Sequence, residues 1–369
     1  MINSKERGIC NMTISVDKKE FKKAFNYVWS LYTAKEQKET QVLFLRFDQD
    51  TLTIMGVKED SKFDSTIKVE GSLLENLSVQ VKTSSLLSIL DMIGERLSFS
   101  LSEDNIHVTS EVEDDSVSFG RTDVVFPEGD RAELFSASHD DLLSIFSEPL
   151  SSPLKTARSF TDTLLLRLRK DRLNARNITL QTIVITSIKV ETDNKGIVDT
   201  YLSKKDAQAI NKALKNMKKT ERVSVLKEDE FLVFKSEDYT YTFRYREHVV
   251  DIPDITSLMS RCLKLNADEG MTLSVDKVKK NLSSTQKETD KEERDTLNCS
   301  LIDVDSEIFS QDLYIPVKET LKILKSLNTK SIECFILEKA LVFKYQKEDR
   351  IHCSVITFIK KGLKDKGRT

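Results

Sequence analysis

The sequence is poor in glycine and proline, which number 10 and 5 among its 369 residues. This composition excludes a collagen-like chain and a low-complexity disordered chain. The longest apolar runs, such as Leu164–Leu166 and Ile183–Ile185, are far shorter than the ~20 residues that a membrane-spanning helix needs. The first residues also lack the apolar stretch of a secretory signal. We therefore expect a cytoplasmic protein that does not contact a membrane.

Cysteine is also scarce, and its five copies are scattered through the chain. Because the count is odd and no Cys-x-x-Cys pair occurs, the sequence favours reduced thiols over a disulfide framework or a zinc site. The P-loop, GxGxxG, HExxH and GxSxG motifs are all missing from the sequence. Acidic pairs such as Asp114-Asp115 lie in polar turns, where burial does not shift their pKa. We expect no cofactor, no metal and no catalytic residue, so the chain is not predicted to be an enzyme.

An internal repeat organises the chain, whose 369 residues exceed the ~250–300 at which a single core stops growing. The segment that begins at Glu95 aligns without a gap with the segment that begins at Glu221. Apolar and polar residues alternate in both, as in half-buried strands. The same alignment places Pro127 on Pro253, and a third similar segment begins at Lys330. The repeat predicts three equivalent domains.

Each copy of the strand pattern follows a helix-like segment. Leu86, Leu90 and Ile93 have the spacing of one helix face before the first copy. Ser203 suits an N-cap before the second copy, and Pro316 suits the first helical turn before the third. The sequence therefore predicts an α+β fold of helices on one face of antiparallel sheets. The expected domains are residues 1–130, 131–254 and 255–369, the third being shortened and divergent.

Basic side chains are concentrated in the helix-like segments, although the net charge is only −3. In Ser203–Lys219 the lysines far outnumber the single acid, Asp206. Acids gather instead in the strand turns, as in Glu111–Asp115. Two helical segments depart from the pattern, since Lys82–Arg96 is about neutral and His139–Glu148 is acidic. Helices that share one face would make that face positive and suited to phosphate groups.

These features together resemble the bacterial replicative sliding clamp, the beta subunit of DNA polymerase III. The resemblance covers roughly Met12 to Lys360. Besides the repeat and the basic helices, it rests on two turns in matching register, Val125–Glu128 and Asp251–Asp254. It implies a DNA clamp fold of three domains and a head-to-tail ring, a homodimer, around duplex DNA. It also implies that the protein is a processivity factor in DNA replication, located in the cytoplasm and associated with the nucleoid.

The resemblance implies that the helices line the hole of the ring and neutralise phosphates without reading bases. Diffuse lysines suit a protein that slides, because they form no rigid bidentate grip. The DNA-facing residues would be Lys18, Lys19, Lys22, Lys23, Lys155, Arg158, Lys204, Lys205, Lys212, Lys215, Lys219, Lys318, Lys322 and Lys325.

The resemblance also implies a hydrophobic cleft between the second and third domains, which receives short peptides of DNA polymerases and of the clamp loader. The subunit interface of the ring would use Val117 and Phe119. Ile178–Ile183 differs from the family's Thr-Asp-Gly-His-Arg-Leu-like stretch, and the chain continues past the usual Met-Pro-Met-Arg-like end. Carried over to this sequence, the cleft residues would be Ile178, Leu180, Ile183, Pro253, Leu258, Val355, Ile356 and Phe358.

The third domain is the most divergent part of the sequence. Its first helix is expected at either Ile255–Leu265 or Val275–Leu282, and the polar tract Ser283–Thr296 is expected to be a flexible, exposed loop. Two alternative functions stay open. One is an interaction scaffold with the clamp fold that does not enclose DNA, and the other is a nuclease or another DNA enzyme in which the repeat is fortuitous.

Overall fold

The structure is a computed structural model of the chain. No helix in the segments described below is long and apolar enough to cross a membrane. The structure describes residues 12–39, 42–58, 61–71, 77–102, 105–112, 116–120, 122, 124, 131–151, 163–179, 182–193, 196–217, 222–228, 231–244, 255–292, 302–304, 313–327, 329–338, 340–357 and 359–360.

The first part of the chain contains two helix-bearing halves, each with its own strands. Its elements are β1 (Met12–Asp17), α1 (Lys18–Ser30), α2 (Ala34–Glu39), β2 (Val42–Phe47), β3 (Thr51–Lys58), β4 (Ser61–Lys68), β5 (Leu77–Lys82), α3 (Thr83–Asp91), β6 (Arg96–Leu101), β7 (Asn105–Ser110) and β8 (Ser116–Gly120).

The middle part repeats that order. Its elements are β9 (Ala132–Ser138), α4 (His139–Ser147), β10 (Thr163–Arg169), β11 (Arg172–Ile178), β12 (Thr182–Lys189), β13 (Ile197–Ser203), α5 (Lys204–Asn216), β14 (Arg222–Glu228), β15 (Phe231–Lys235) and β16 (Tyr239–Arg244).

The last part repeats the order in a shorter form. Its elements are α6 (Thr256–Leu263), β17 (Met271–Ser274), α7 (Val275–Glu292), β18 (Ile302–Val304), β19 (Leu313–Ile315), α8 (Val317–Ser326), β20 (Ser331–Ile336), β21 (Ala340–Lys347), β22 (Arg350–Thr357) and β23 (Ile359–Lys360).

The threefold repeat predicted from the sequence is therefore confirmed as a repeat of elements. Each copy opens with a strand and a helix, namely β1–α1, β9–α4 and β17–α7. Each later contains a second strand and helix, β5–α3, β13–α5 and β19–α8, and then three further strands, which the two-residue strand β23 follows in the third copy. The predicted α+β class is confirmed as well. The exact domain limits remain a prediction, because the structure shows the repeat of elements rather than three separate bodies.

The strands of the described residues form two sheets of eight, one of four and one of three. The sheets of eight have the orders β5-β2-β3-β4-β16-β15-β14-β9 and β13-β10-β11-β12-β22-β21-β20-β17. At the centre of each, the fourth strand of one copy pairs antiparallel with the last long strand of the next, β4 with β16 and β12 with β22. Successive copies are thus joined through continuous sheets by one rule of pairing.

The chain divides into two compact units. Unit one comprises Met1–Leu134 and Lys215–Tyr245, and unit two comprises Phe135–Leu214 and Arg246–Thr369. The core of unit one is rich in phenylalanine, since Phe21, Phe47 and Phe99 are fully buried and their rings lie near one another. The core of unit two is mainly aliphatic. Burial of these apolar side chains supplies most of the driving force for folding.

Local sequence explains where the helices begin and which face they bury. Asp17 caps α1 by accepting hydrogen bonds from the backbone of Lys19 and Glu20, at 2.8 and 3.0 Å. An N-cap carboxylate satisfies amide groups that the first turn leaves without intrahelical partners. Phe25 and Val28 then lie on the buried face of the helix. The hydrophobic period thus places the lysines of α1 on its outer face.

The expectation of a flexible loop at Ser283–Thr296 is wrong for residues 283–292, which continue α7 to Glu292. Residues 293–296 lie outside the described residues. Gln, Lys and Glu are good helix formers, so a tract rich in them is compatible with a helix. Val275, Val278 and Leu282 bury the inner face of α7. Because α7 follows β17 as α1 follows β1, it is the first helix of the third copy, and α6 precedes that copy.

Candidate nucleic-acid interface and candidate partner cleft

The outer face of α1 carries the predicted lysines. Lys19, Lys22 and Lys23 are exposed, opposite the buried face of the helix. Lys18 is only half-buried, and its ammonium donates a hydrogen bond to the backbone oxygen of Met92. Lys19 and Lys22 are therefore the lysines of α1 that are best placed to meet a phosphate.

Lys23 has an internal partner, because its ammonium forms an ion pair with Glu20 one turn earlier in α1. This hydrogen bond and the negative charge of Glu20 raise the pKa of Lys23. The pair is exposed, and such surface pairs contribute little to stability. A phosphate that approaches Lys23 must compete with the Glu20 carboxylate.

The helix α5 has the same division between an apolar and a basic face. Ala207, Ile210 and Leu214 are buried, whereas Lys205 and Lys215 are exposed. Lys212 is exposed too, and Lys204 is half-buried. The buried residues are small or aliphatic and recur at helical spacing. The basic face of α5 thus carries lysines in its first and last turns.

In α8 the exposed lysines are Lys322 and Lys325, and Leu321 and Leu324 are buried. Four predicted DNA-facing side chains lie outside the described residues: Lys155, Arg158, Lys219 and the side chain of Lys318. The described helices α1, α5 and α8 thus each expose lysines on the face opposite their buried side chains. That these faces line one common hollow remains a prediction.

A cavity of about 330 Å³ opens beside the first turn of α1 in unit one. Its lining contains more carboxylates than ammonium groups, which weakens the positive potential near the N-terminal end of the helix. The charged residues of this lining are Asp17, Glu20, Glu237, Asp238, Lys23 and Lys68.

A row of apolar side chains crosses five strands of unit two and forms one wall of the candidate cleft. Ile178 lies opposite Ile183, and Ile183 lies opposite Val355. Val355 in turn lies opposite Val342, which lies opposite Phe335. Directly opposed residues of antiparallel strands project on the same face. The register therefore brings Ile178, Ile183 and Val355 to one face of the sheet, and their role in a cleft remains a prediction.

The helix α6 lies against this row. Its Leu258 is half-buried and its Cys262 is fully buried, and both belong to the same apolar cluster as Phe335, Val342 and Val355. The cluster combines a sheet face with one short helix, so part of its apolar surface remains accessible at Ile183 and Leu258. A partly covered apolar surface of this kind is typical of a peptide-binding groove.

Ile356 does not join this group. It follows Val355 in β22 and therefore projects on the opposite face, where it is buried in a separate cluster with Val184, Ile315 and Phe343. Leu180, Pro253 and Phe358 lie outside the described residues. The sequence did not point to Phe335 and Val342, because only the pairing of β20, β21 and β22 aligns them with Val355. The alternation of residues within β21 predicts which face of the sheet Val342 lies on, but it does not predict which residues of β20 and β22 lie beside it.

The strand β8 forms the outer edge of the four-stranded sheet, whose order is β1-β6-β7-β8. Val117 and Phe119, the predicted interface residues, are half-buried in β8 and lie opposite Val108 and Ile106 of β7. Beside β8, the helix α3 exposes Leu87 by 42%, and Ile93 just beyond it is 68% exposed. An open strand edge next to an exposed apolar helix face is suited to pairing with another chain.

The third copy is shorter than the first in the segment between its first and second helices. Between the first helix and the second, the first copy contains β2, β3 and β4, of 6, 8 and 8 residues. In the third copy only residues 293–312 separate α7 from β19, and β18 is the strand described there. At one residue per 3.2–3.4 Å of strand, this interval is too short for three such strands with their turns.

A buried polar network lies at the junction of β12 and β22 in unit two. Glu148, which follows α4, accepts hydrogen bonds from Thr186 at 2.8 Å, from Tyr345 at 2.5 Å and from Nδ1 of His352 at 3.0 Å. The Ser354 hydroxyl lies 2.5 Å from Nε2 of His352. The order Ser–His–Glu resembles a hydrolytic triad. Ser354 and His352 are 0% exposed, so a substrate has no access, and the network joins strands instead.

An ion pair between β22 and α4 lies next to this network. Arg350 of β22 donates to Oδ1 of Asp141 in α4, from Nε at 2.9 Å and from Nη2 at 2.7 Å. The hydrogen bonds and the negative charge of Asp141 outweigh burial and raise the pKa of Arg350. Among the described residues, no group of three or more His, Cys, Asp or Glu side chains could hold a metal ion.

The repeated elements and the two shared sheets define an α+β clamp fold. The chain is similar to the beta subunit from the DNA polymerase of Streptococcus pyogenes, with a TM-score of 0.71, 14% identity, and coverage of 95% of this chain and 100% of that chain. It is also similar to the DNA polymerase III subunit beta from Pseudomonas aeruginosa, with a TM-score of 0.68, 12% identity, and coverage of 95% and 100%.

A third similar structure is the Helicobacter pylori beta clamp bound to a DNA ligase peptide, with a TM-score of 0.66, 14% identity, and coverage of 95% and 100%. No protein-family model matches the chain, and no protein of curated function matches it. The chain therefore has the fold of the DNA polymerase III beta subunits, with a strongly divergent sequence. This confirms the fold that the sequence resemblance implied.

Proposed function

We propose that the chain is a DNA sliding clamp, a processivity factor that encircles duplex DNA and has no catalytic activity of its own. The observation that carries this proposal is the single rule of pairing in β4–β16 and β12–β22. The edge of β8 repeats the same kind of last strand and has no strand neighbour on its outer side in the described sheet. A second copy of the chain would pair with this edge in the same way. Head-to-tail interfaces of this kind close into rings when the rotation between subunits closes.

The lysine faces of α1, α5 and α8 support binding to DNA without base recognition. Exposed ammonium groups on flexible stems neutralise phosphates and release counterions, and they do not read base edges. Exposed lysines of this kind, such as Lys22, Lys205 and Lys322, give many weak contacts. Enclosure by a ring would hold the duplex while these contacts exchange, so the chain would slide in a cytoplasmic, nucleoid-associated complex.

The apolar row of unit two supports a docking site for short peptides of a DNA polymerase or a clamp loader. Three of the predicted cleft residues, Ile183, Leu258 and Val355, belong to one apolar cluster, which supports this proposal. A DNA ligase peptide is bound to the Helicobacter pylori beta clamp, which has the same fold. An extended peptide with apolar side chains would cover the half-buried residues and gain affinity from burial.

The test is retention on DNA of different topology. The purified chain is incubated with a nicked circular plasmid, and half of the sample is then cut once with a restriction enzyme. After gel filtration at raised salt, a clamp stays on the circle and runs off the linear form. Equal retention on both forms would show that binding does not depend on enclosure. The double variant Lys205→Glu, Lys215→Glu controls for the electrostatic contribution.

The short third copy favours a second candidate, an interaction scaffold with the clamp fold that does not enclose DNA. The interval 293–312 lacks room for the strands that would meet β8 of another copy. Such a scaffold would sediment as a single chain and bind DNA with little dependence on salt. It would still bind peptides at the apolar row.

A further inference from the structure

Two of the buried cysteines contact each other beneath the apolar row. Cys262 lies in the last turn of α6 and Cys353 lies in β22, and their thiols are hydrogen-bonded. Cys262 is 0% exposed and Cys353 is 1% exposed, and both belong to one apolar cluster. A third cysteine, Cys334, is equally buried but lies in the other cluster of unit two. The fold thus brings together two thiols that the sequence separates widely.

The two thiols differ in acidity. The hydrogen bond from Cys353 lowers the pKa of Cys262, burial opposes this, and the charge of Arg261 lowers it further. The same hydrogen bond and burial raise the pKa of Cys353 well above its usual value. The thiolate is the reactive form of cysteine. Cys262 is therefore the nucleophile of the pair, and Cys353 is the resolving thiol beside it.

We propose that Cys262 and Cys353 are a modification site that forms a reversible intrachain disulfide with a hydroperoxide as the oxidant. The Cys262 sulfur attacks the terminal oxygen, the O–O bond breaks, and the departing oxygen takes a proton to leave as water or an alcohol. The Cys353 sulfur then attacks the sulfenic acid at Cys262, and the S–O bond breaks with loss of water. The two thiols lose two electrons and the peroxide gains two.

Access to the pair comes through α6. This helix has eight residues, fewer than the about 12–15 that make an isolated helix even marginally stable. Ser257, Ser260 and Arg261 on its outer side are exposed. Short helices with few buried side chains open locally at a lower free energy than the whole domain unfolds. Opening of the last turn of α6 exposes Cys262 to a small oxidant while the sheet that holds Cys353 stays folded.

The disulfide would act on the candidate cleft, and this consequence rests on the proposed function. Leu258 precedes Cys262 by four residues and so lies on the same side of α6. Val355 follows Cys353 by two residues and projects on the same face of β22. A covalent bond between the cysteines would hold α6 against the sheet and restrict the adjustment that admits a peptide. Oxidation is expected to weaken peptide binding about tenfold, within the usual range of coupling between sites.

The test of the disulfide needs neither DNA nor peptide. The folded chain is treated with hydrogen peroxide, quenched with an alkylating agent, digested without reductant and mapped by mass spectrometry. The expected product is a linked peptide that contains Cys262 and Cys353 and that dithiothreitol separates. If both thiols are recovered alkylated, or if Cys262 is found in another pair, the proposal is overturned.

Variants supply matched controls. Cys353→Ala should leave Cys262 as a sulfenic acid, which a dimedone probe traps. Cys334→Ala should leave the disulfide unchanged, because burial raises the pKa of Cys334 to about 12 and its cluster holds no second thiol among its described members. Peptide affinity is measured on the mapped, oxidised chain and on the same sample after reduction. A mapped disulfide with unchanged affinity would refute its effect on the cleft without touching the clamp proposal.

Discussion

The carboxylate of Glu148 and the imidazole of His352 face each other in the interior of unit two, with Oε2 3.0 Å from Nδ1. Glu148 is 1% exposed and His352 is 0% exposed. The first residue belongs to the second copy of the repeat and the second belongs to the third copy. Because β12 and β22 also pair here, the contact fixes the register at which two copies share one sheet. A buried, fully hydrogen-bonded network specifies such a register more sharply than apolar packing does.

Replacement of Glu148 by glutamine should destabilise unit two. The amide keeps the shape of the side chain, but it cannot accept all the hydrogen bonds of the carboxylate and it places a donor against other donors. Leaving buried polar groups unsatisfied costs about 2 kcal/mol. Urea unfolding followed by circular dichroism measures the change. Glu39→Gln is the control, since the Glu39 side chain is 65% exposed, and equal midpoints for the two variants would contradict the prediction.

The same carboxylate predicts a dependence of stability on pH. Burial raises the pKa of Glu148, but hydrogen bonds from His352, Tyr345 and Thr186 and the charge of His352 outweigh it, so the pKa lies below its ordinary value. A lowered pKa stabilises the fold fully above the unfolded value of about 4.3, and this contribution is lost as the pH falls through the folded pKa. Arg350 and its partner Asp141 are the other charged groups nearby.

The free-energy difference between the native chain and Glu148→Gln should therefore shrink as the pH falls below about pH 4. Unfolding curves at a series of pH values measure it. A difference that stays unchanged down to pH 3 would mean that the carboxylate is not held ionised by its neighbours.

The substitution Leu258→Ala should weaken peptide binding without unfolding the chain. Leu258 is half-buried in the cluster that contains Ile183 and Val355, and a peptide would complete its burial. The loss of three side-chain carbon atoms from such a contact costs about 1.4 kcal/mol or more, which is about tenfold in affinity. Calorimetry with the DNA ligase peptide measures the change. Val57→Ala, which alters a side chain of unit one that is 44% exposed, should bind like the native chain.

Reversal of charge on α5 should reduce the affinity for DNA and its dependence on salt. Each phosphate contact contributes about 0.9 to the slope of log affinity against log salt concentration. Lys205→Glu and Lys215→Glu should each make the slope shallower by about 1 and affect all sequences equally. Fluorescence anisotropy with duplexes of unrelated sequence measures both effects. Lys35→Glu, in which the native side chain is 85% exposed on α2, should leave the slope unchanged.

The strands of the repeat could be predicted because their signal is local. Leu97 and Phe99 of β6 alternate with polar residues, as do Val223 and Val225 of β14, and all four are buried. The period of two residues is enough to place such positions on one face of a sheet. The aligned segments therefore identified the fold without knowledge of which strands pair.

The cleft could be predicted only in part, because its geometry depends on pairing between distant strands. Val355 and Ile356 are adjacent, apolar and buried, but they lie in different clusters. The sequence could not separate them without the register of β22. The sequence does not predict the contact between Cys262 and Cys353 for the same reason, because it joins a helix to a distant strand on which that helix packs. Residues 283–292 form part of α7, and polarity alone does not distinguish a polar helix from a loop.

The mass of the particle that the chain forms in solution tests most directly whether copies of the chain assemble into a ring. A ring requires at least two copies, with β8 and the apolar side chains of α3 covered by the partner. Analytical ultracentrifugation should therefore give a multiple of 42.2 kDa, and Phe119→Asp should return the mass to one chain while Ser116→Asp, on the exposed face of β8, should not. A mass of 42.2 kDa at every concentration would contradict a self-assembled clamp and favour the open scaffold.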